Sequence, residues 1–264
     1  MVDTNIEVLQ ALGQRNFNLD LNGAIKVASG INKDLNGVSQ QLYGVDWNGA
    51  FEQLRTLLGG RTANFPGVNG SYWQAADNAA FEIAGDIDVR LQVESFTPTG
   101  GNSTMVSRWA ASPNQVWEWR VSVGGADQFF WSTLGTDTSA IIQVAPLGVG
   151  GQRLFFDVDD GAGNKVLTHF QGPSLAHPLV QVDQDVVAGV TSIFAGSTAP
   201  LRIGARADAS GLSPFNGRIS RMQLRNSAGT LVADFDTRFK AAGTTNFVDS
   251  VGITWNAVGT ASIV

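Results

Sequence analysis

Residues 86–94 constrain the fold more than any other stretch. Ile87, Val89, Leu91 and Val93 occupy one parity, and Asp86, Asp88, Arg90, Gln92 and Glu94 occupy the other. A period of two sustained over this length describes a β-strand with one face on a core and one in water. A helix would scatter the four apolar residues around its circumference. The chain therefore contains a wet-faced antiparallel sheet.

Composition agrees with that reading across most of the 264 residues. Glycine is abundant at 31 and hydrophobic content is 43%. Such a mix suits many short strands joined by tight turns. From residue 61 onward short apolar runs are expected to form strands, among them 71–75, 80–83, 104–110, 116–123, 128–133, 153–159, 165–171, 201–206, 217–225 and 254–258. Gly124-Gly125, Ala228-Gly229 and the run from Asp160 to Asn164 are turn signals between them. Many strands at this spacing, without amphipathic helices between them, indicate a two-sheet sandwich or jelly roll. The alternation falters around Ile219, which marks a β-bulge. Residues 172–197 form the longest weakly patterned piece, expected as a loop with room for a helical turn.

Residues 1–60 differ in character and are read as an arm. Asp46 can cap a short amphipathic helix that places Trp47, Phe51, Leu54, Leu57 and Leu58 on one face before Gly59-Gly60 stops it. That apolar face is the candidate anchor of the arm.

Charge and residue counts exclude several classes. A net charge of −6, spread along the chain, argues against a nucleic-acid footprint. No run of about 18 apolar residues exists to span a membrane, and the N-terminus does not read as a secretory signal. Cysteine is absent and histidine numbers two, His169 and His177, neither near a nucleophile motif. No paired-carboxylate strand motif of the Glu-x-Asp-x-x-Glu kind appears, so no catalytic residue is assigned and the chain is not expected to be an enzyme.

Two constellations suit ligands. Tyr72, Trp73, Trp109 and Trp131 are candidate platforms for sugar rings, with burial in a core as the competing reading. Trp117 and Trp119 share a parity with Val121, and they and Trp255 read as core. Asp157, Asp159, Asp160 and Asn164 offer oxygens around a glycine turn, as Ca²⁺ requires, but their spacing does not fit an EF-hand. A hairpin turn with solvated acids is the favoured reading of the same residues. Asp86 and Asp88 read as ordinary exposed positions.

Three stretches together carry a resemblance. They contain Gly85-Asp86-Ile87-Asp88, then Pro200-Leu201-Arg202-Ile203-Gly204 and Gly217-Arg218-Ile219, and finally Thr254-Trp255 and Ala261-Ser262-Ile263-Val264. Residues 61–264 thereby resemble the laminin-G/concanavalin-A-like jelly-roll domain found in minor tail proteins of tailed bacteriophages, notably those of actinobacteria. The resemblance implies an all-β lectin-like sandwich in a virion structural protein without enzymatic activity. It implies recognition of a host-surface glycan or, alternatively, a head decoration or fibre protein attached to the capsid through its N-terminal arm and binding no sugar. Other virion proteins would be the partners, contacted through residues 1–60. A homo-oligomer such as a trimer is expected, because virion proteins repeat around symmetry axes. Lectin-like jelly rolls often bind Ca²⁺, but no ligand set carries over residue by residue and no cofactor is assigned.

Overall fold

The computed structural model describes residues 60–264, apart from 99 and 209–213. The chain divides into two units, Met1–Gly60 and Arg61–Val264. The expected helix carrying Trp47, Phe51, Leu54, Leu57 and Leu58 lies outside the described residues.

Unit Arg61–Val264 is an all-β sandwich of two antiparallel sheets with eight strands each. Sheet A runs, edge to edge, β10 (Val180–Ala188), β9 (Asn164–Gly172), β8 (Gly150–Asp157), β3 (Ile87–Phe96), β12 (Asn216–Arg225), β1 (Ala63–Pro66) and β16 (Ser262–Ile263). Its eighth strand, β13 (Leu231–Asp236), pairs the half of β12 that β1 leaves free. Sheet B runs β14 (Asn246–Val248), β15 (Thr254–Val258), β2 (Tyr72–Ala75), β11 (Leu201–Ile203), β4 (Ser103–Trp109), β5 (Gln115–Val121), β6 (Ala126–Trp131) and β7 (Ser139–Pro146). Chain order is scattered across both sheets, as a jelly roll requires.

The alternating stretch that opened the sequence reading is β3, and Ile87, Val89, Leu91 and Val93 are fully buried. From the opposite sheet come Trp73, Trp117, Trp119, Phe129, Trp131 and Trp255, all in the same core. Contacts between the layers are largely aromatic. Phe156 of β8 meets Phe129 and Trp131 of β6 at 4.9 and 4.8 Å between ring centroids. Phe235 of β13 packs on Trp73 and Trp255 at 5.4 and 5.1 Å. Pairs of this kind add about 0.5–1.5 kcal/mol each beyond area burial.

The irregularity at Ile219 is a bulge, with register shifts on both sides of that residue against β3. Three expectations are corrected. Residues 80–83 are not a strand: Asn78 accepts a hydrogen bond from the Ala80 amide and caps a 3₁₀ turn over Ala79–Phe81. The long loop expected over 172–197 contains edge strand β10, in place of a helical turn. Asp88 is not an exposed position but is 6% exposed, held by Arg90 and Arg153. Among the described residues no helix is long and apolar enough to cross a membrane.

Candidate functional site

Because side chains alternate across a strand, the parity of sheet B that avoids the core forms its outer face. Register carries one row straight across that face: Asn256, Gln74, Arg202, Ser107, Glu118, Phe130 and Ala140. A neighbouring row holds Thr104, Arg120, Gln128 and Ile142. The motif Trp-Glu-Trp-Arg in β5 shows the division plainly: its tryptophans are in the core, and Glu118 and Arg120 face out.

The chain after β11 folds back over this face. Ile203 pairs antiparallel with Val106, and the Gly204 amide donates to Met105 O at 2.9 Å. Continued pairing would carry the chain further toward the start of β4. Instead the Ala207 amide donates to Trp109 O at 2.8 Å, so the backbone has reversed. Gly204 makes the reversal at φ +90°, where a Cβ would sit 2.4 Å from the Phe65 ring. Ser107 Oγ donates to Ala205 O, and Arg202 Nη1 donates to Arg206 O, which fasten the strap 204–208 to the sheet.

The strap delivers a third guanidinium to a face that already holds two. Arg202 lies over the Tyr72 ring at 4.0 Å and Arg120 over Phe130 at 4.0 Å. Arg206 lies 5.3 Å from the Trp109 ring centroid. Beneath them Glu118 is 1% exposed. Its Oε1 accepts from Thr104 Oγ1, while Oε2 is 3.6 Å from Arg206 Nη1 and 3.8 Å from Arg120 Nη1. These separations hold charge against charge but exceed hydrogen-bond length, and Oε2 has no hydrogen-bond partner among the described residues. Burial pushes the Glu118 carboxyl above its ordinary range, against the opposing pull of Arg206, Thr104 and Arg120. Arg206 also pairs with Asp208 at 2.6 Å.

Of the aromatic platforms read from the sequence, only Tyr72 is half-exposed on this face. Trp73 and Trp131 are core residues, exposed by 0% and 2%. Trp109 is outside the core cluster but is sealed beneath the strap at 2% exposure. None of these three can offer a ring face to a sugar. The residues that the platform reading missed are Arg120, Phe130, Arg202 and Arg206; the first was legible from strand parity, the last only from the fold-back.

The acidic turn is occupied by its own backbone. Asp160 accepts from the Ala162 and Asn164 amides and from Asn164 Nδ2. Asp159 accepts from the Gly161 amide and Asp157 from the Asp159 amide. Among the described residues no group of three His, Asp or Glu side chains is arranged to hold a metal ion.

Other charged clusters are internal. Arg108 is fully buried and donates to the carbonyls of Phe81, Ala199 and Ser197 and to Asp77 and Glu82, tying β4 to two loops. His169 and Asp127 meet across the sheets with Nδ1 2.7 Å from Oδ2, both at 0% exposure. Gln152 Oε1 lies 3.1 Å from the other ring nitrogen of His169. A pair sealed this way reaches no substrate and joins the two layers.

No family model matches the chain, and no curated protein matches it. Several solved structures overlap its fold loosely. A Bacteroides ovatus protein described as a candidate carbohydrate binding protein overlaps with a TM-score of 0.48 at 13% identity, over 78% of this chain and 59% of that one. The heptameric SAP-like pentraxin of Limulus polyphemus gives 0.38 at 12% identity, over 62% and 75%. The CBM40 of a Ruminococcus gnavus sialidase gives 0.35 at 14% identity, over 60% and 89%. With TM-scores below 0.5, these likenesses assign this chain neither a ligand nor a site.

Proposed function

We propose that the chain is a non-enzymatic bacteriophage virion protein of the minor-tail type, whose sandwich recognises a host-surface glycan through the outer face of sheet B. The observation that carries the binding part is the layout of that face. Partly exposed guanidiniums lie over the Tyr72 and Phe130 rings at 4.0 Å, so apolar ring surface and hydrogen-bond donors stand side by side. Saccharides present apolar ring faces and hydroxyl edges, which match such a surface. The virion part is supported by the sequence resemblance over residues 61–264. Its motifs fall on the entry to β3, on β11 and its glycine reversal, on the β12 bulge and on β15 and β16. Incorporation into a particle would involve residues 1–60 and a homo-oligomeric arrangement.

A head decoration or fibre protein that binds no sugar is the second reading. It is favoured by β10, an open sheet edge with Val180, Val182 and Val186 exposed, of the kind that suits contact with other protein. Antibody raised against residues 61–264 and imaged on intact particles separates the two. Label at the tail tip, with retention of the full chain on host cell wall, is the expected result. Label spread over the head supports decoration, and particles without label overturn the virion assignment.

A further inference from the structure

The outer face of sheet B carries an excess of cation in a chain that is acidic as a whole. Across five adjacent strands it presents Tyr72, Arg202, the strap's Arg206, Arg120 and Phe130 in that order. Among the described residues Glu118 and Asp208 oppose the three guanidiniums there. Each guanidinium has five N–H donors. Among the described residues Arg120 uses Nε on Gln128 Oε1, Arg202 uses Nη1 on Arg206 O, and Arg206 uses Nη2 on Asp208. Among the described residues the buried Nε atoms of Arg202 and Arg206 have no acceptor. Glu118 is held too far away to close the set, at 3.6 and 3.8 Å.

We infer that this face binds an acidic saccharide, with its oxyanions set against Arg120 and Arg202 and its rings laid along Phe130 and Tyr72. The inference rests on the glycan-recognition reading and narrows it. Guanidinium forks match the two-oxygen edge of a carboxylate or phosphate, and contact with the ring at 4.0 Å restrains the fork in advance. Strands β11 and β5 flank β4 and Arg120 lies one row along from Arg202, so the two residues stand roughly 12 Å apart on the backbone. That span admits charges on successive repeats of an extended chain rather than one compact anion. Uronate polysaccharides and polysaccharides carrying phosphodiesters share the required chemistry.

The test uses the full chain with three probes: polygalacturonate, a phosphomannan (sugar rings carrying phosphodiesters) and neutral dextran, followed by titration calorimetry. Binding to one acidic polymer and not to dextran is expected, and which acidic polymer binds identifies the oxyanion. Arg120→Gln and Arg202→Gln should each weaken it at least tenfold. Arg120→Lys, which keeps the charge and loses the planar fork, should weaken it severalfold. Arg90→Gln, on the opposite face of the sandwich, should leave it unchanged. Near-ultraviolet dichroism from the tryptophan core checks that each variant is folded, and the lysine variant carries the test if a glutamine variant is not. Binding to dextran that ignores the arginine variants overturns the acidic-ligand inference and leaves glycan recognition standing. Binding to none of the three polymers, by a chain that host cell wall does retain, also overturns it; retention by neither overturns both.

Discussion

The two outer faces of the sandwich carry similar residues and do different things with them. On sheet A the acids that lie beside arginines, Asp88, Asp234 and Asp236, close on them. Asp88 accepts from Arg90 Nε and Nη2 and from Arg153 Nε. Asp234 accepts from Arg221 through two nitrogens, and Asp236 accepts from Arg238. Aromatic rings are present there as well, with Arg153 4.7 Å from the Phe170 ring centroid. On the outer face of sheet B the rings and arginines recur, but the buried Glu118 carboxylate stands off from Arg206 and Arg120 at 3.6 and 3.8 Å. A cation on an aromatic ring is therefore no mark of a site by itself. The mark is a donor set that the protein's own acceptors leave open.

The strap is what makes sheet B different, and breaking it should have the largest effect. Gly204→Ala places a Cβ 2.4 Å from the Phe65 ring at φ +90°. Backbone strain and overpacking together are expected to cost about 3 kcal/mol. Thermal unfolding should drop by roughly 6–12 °C for a domain of this size. An unchanged melting temperature would mean that the reversal at Gly204 does not hold Arg206 in place.

The two carboxylates Asp88 and Glu118 sharpen the comparison. Asp88→Ala removes charged hydrogen bonds to two arginines and should cost about 2 kcal/mol in denaturant unfolding. Glu118→Gln keeps the acceptor for Thr104 and loses little. The pH profiles should run oppositely. Burial raises the Asp234 carboxyl, but Arg221, Ser250 and Gln223 outweigh it and the net shift is downward. Its contribution is present above the unfolded value of about 3.9 and is lost as pH falls through the lower folded value. Glu118 is shifted upward by burial. It favours the fold below about 4.3 and loses that contribution as pH rises through the higher folded value. Relative to wild type, Glu118→Gln should gain stability as pH climbs past that window, and Asp234→Asn should lose its disadvantage as pH falls toward 3. Parallel profiles for the two variants would remove the distinction between a closed and an open face.

What the sequence revealed of this architecture follows from range. Ile87 to Val93 and the tryptophans of β5 alternate over enough residues for parity to separate core from solvent without any partner. The bulge at Ile219 was legible for the same reason, as a break in a long alternation. Strand β10 was not, because its valines are exposed and its register slips between Gln181 and Asp183, so no apolar face repeats. Trp73 and Trp131 sit in runs too short to fix a parity. Arg206 reaches Glu118 only through the reversal at Gly204, a contact between residues far apart in sequence. The site was thus half legible: its strand residues by alternation, its covering strap by nothing local.

A third region, the turn from Asp157 to Asn164, gives the smallest expected effect and tests the same distinction from the other side. It is the most acidic stretch of the described chain, yet its carboxylate oxygens already accept from the amides of Asp159, Gly161, Ala162 and Asn164. The Asn164 side-chain amide, together with the backbone amides of Asn164 and Ala162, holds the Asp160 carboxyl below its ordinary value. A Ca²⁺ ion would have to displace them. A site with a dissociation constant near 10 µM would add about 2.7 kcal/mol at 1 mM Ca²⁺, which is roughly 5–11 °C in melting temperature. The closed turn instead predicts a shift below about 1 °C between 1 mM Ca²⁺ and a chelator, read by differential scanning fluorimetry on the full chain. A rise of several degrees that Asp160→Asn abolishes would show that the turn opens for the ion, and that acceptors closed by backbone are no barrier to a ligand.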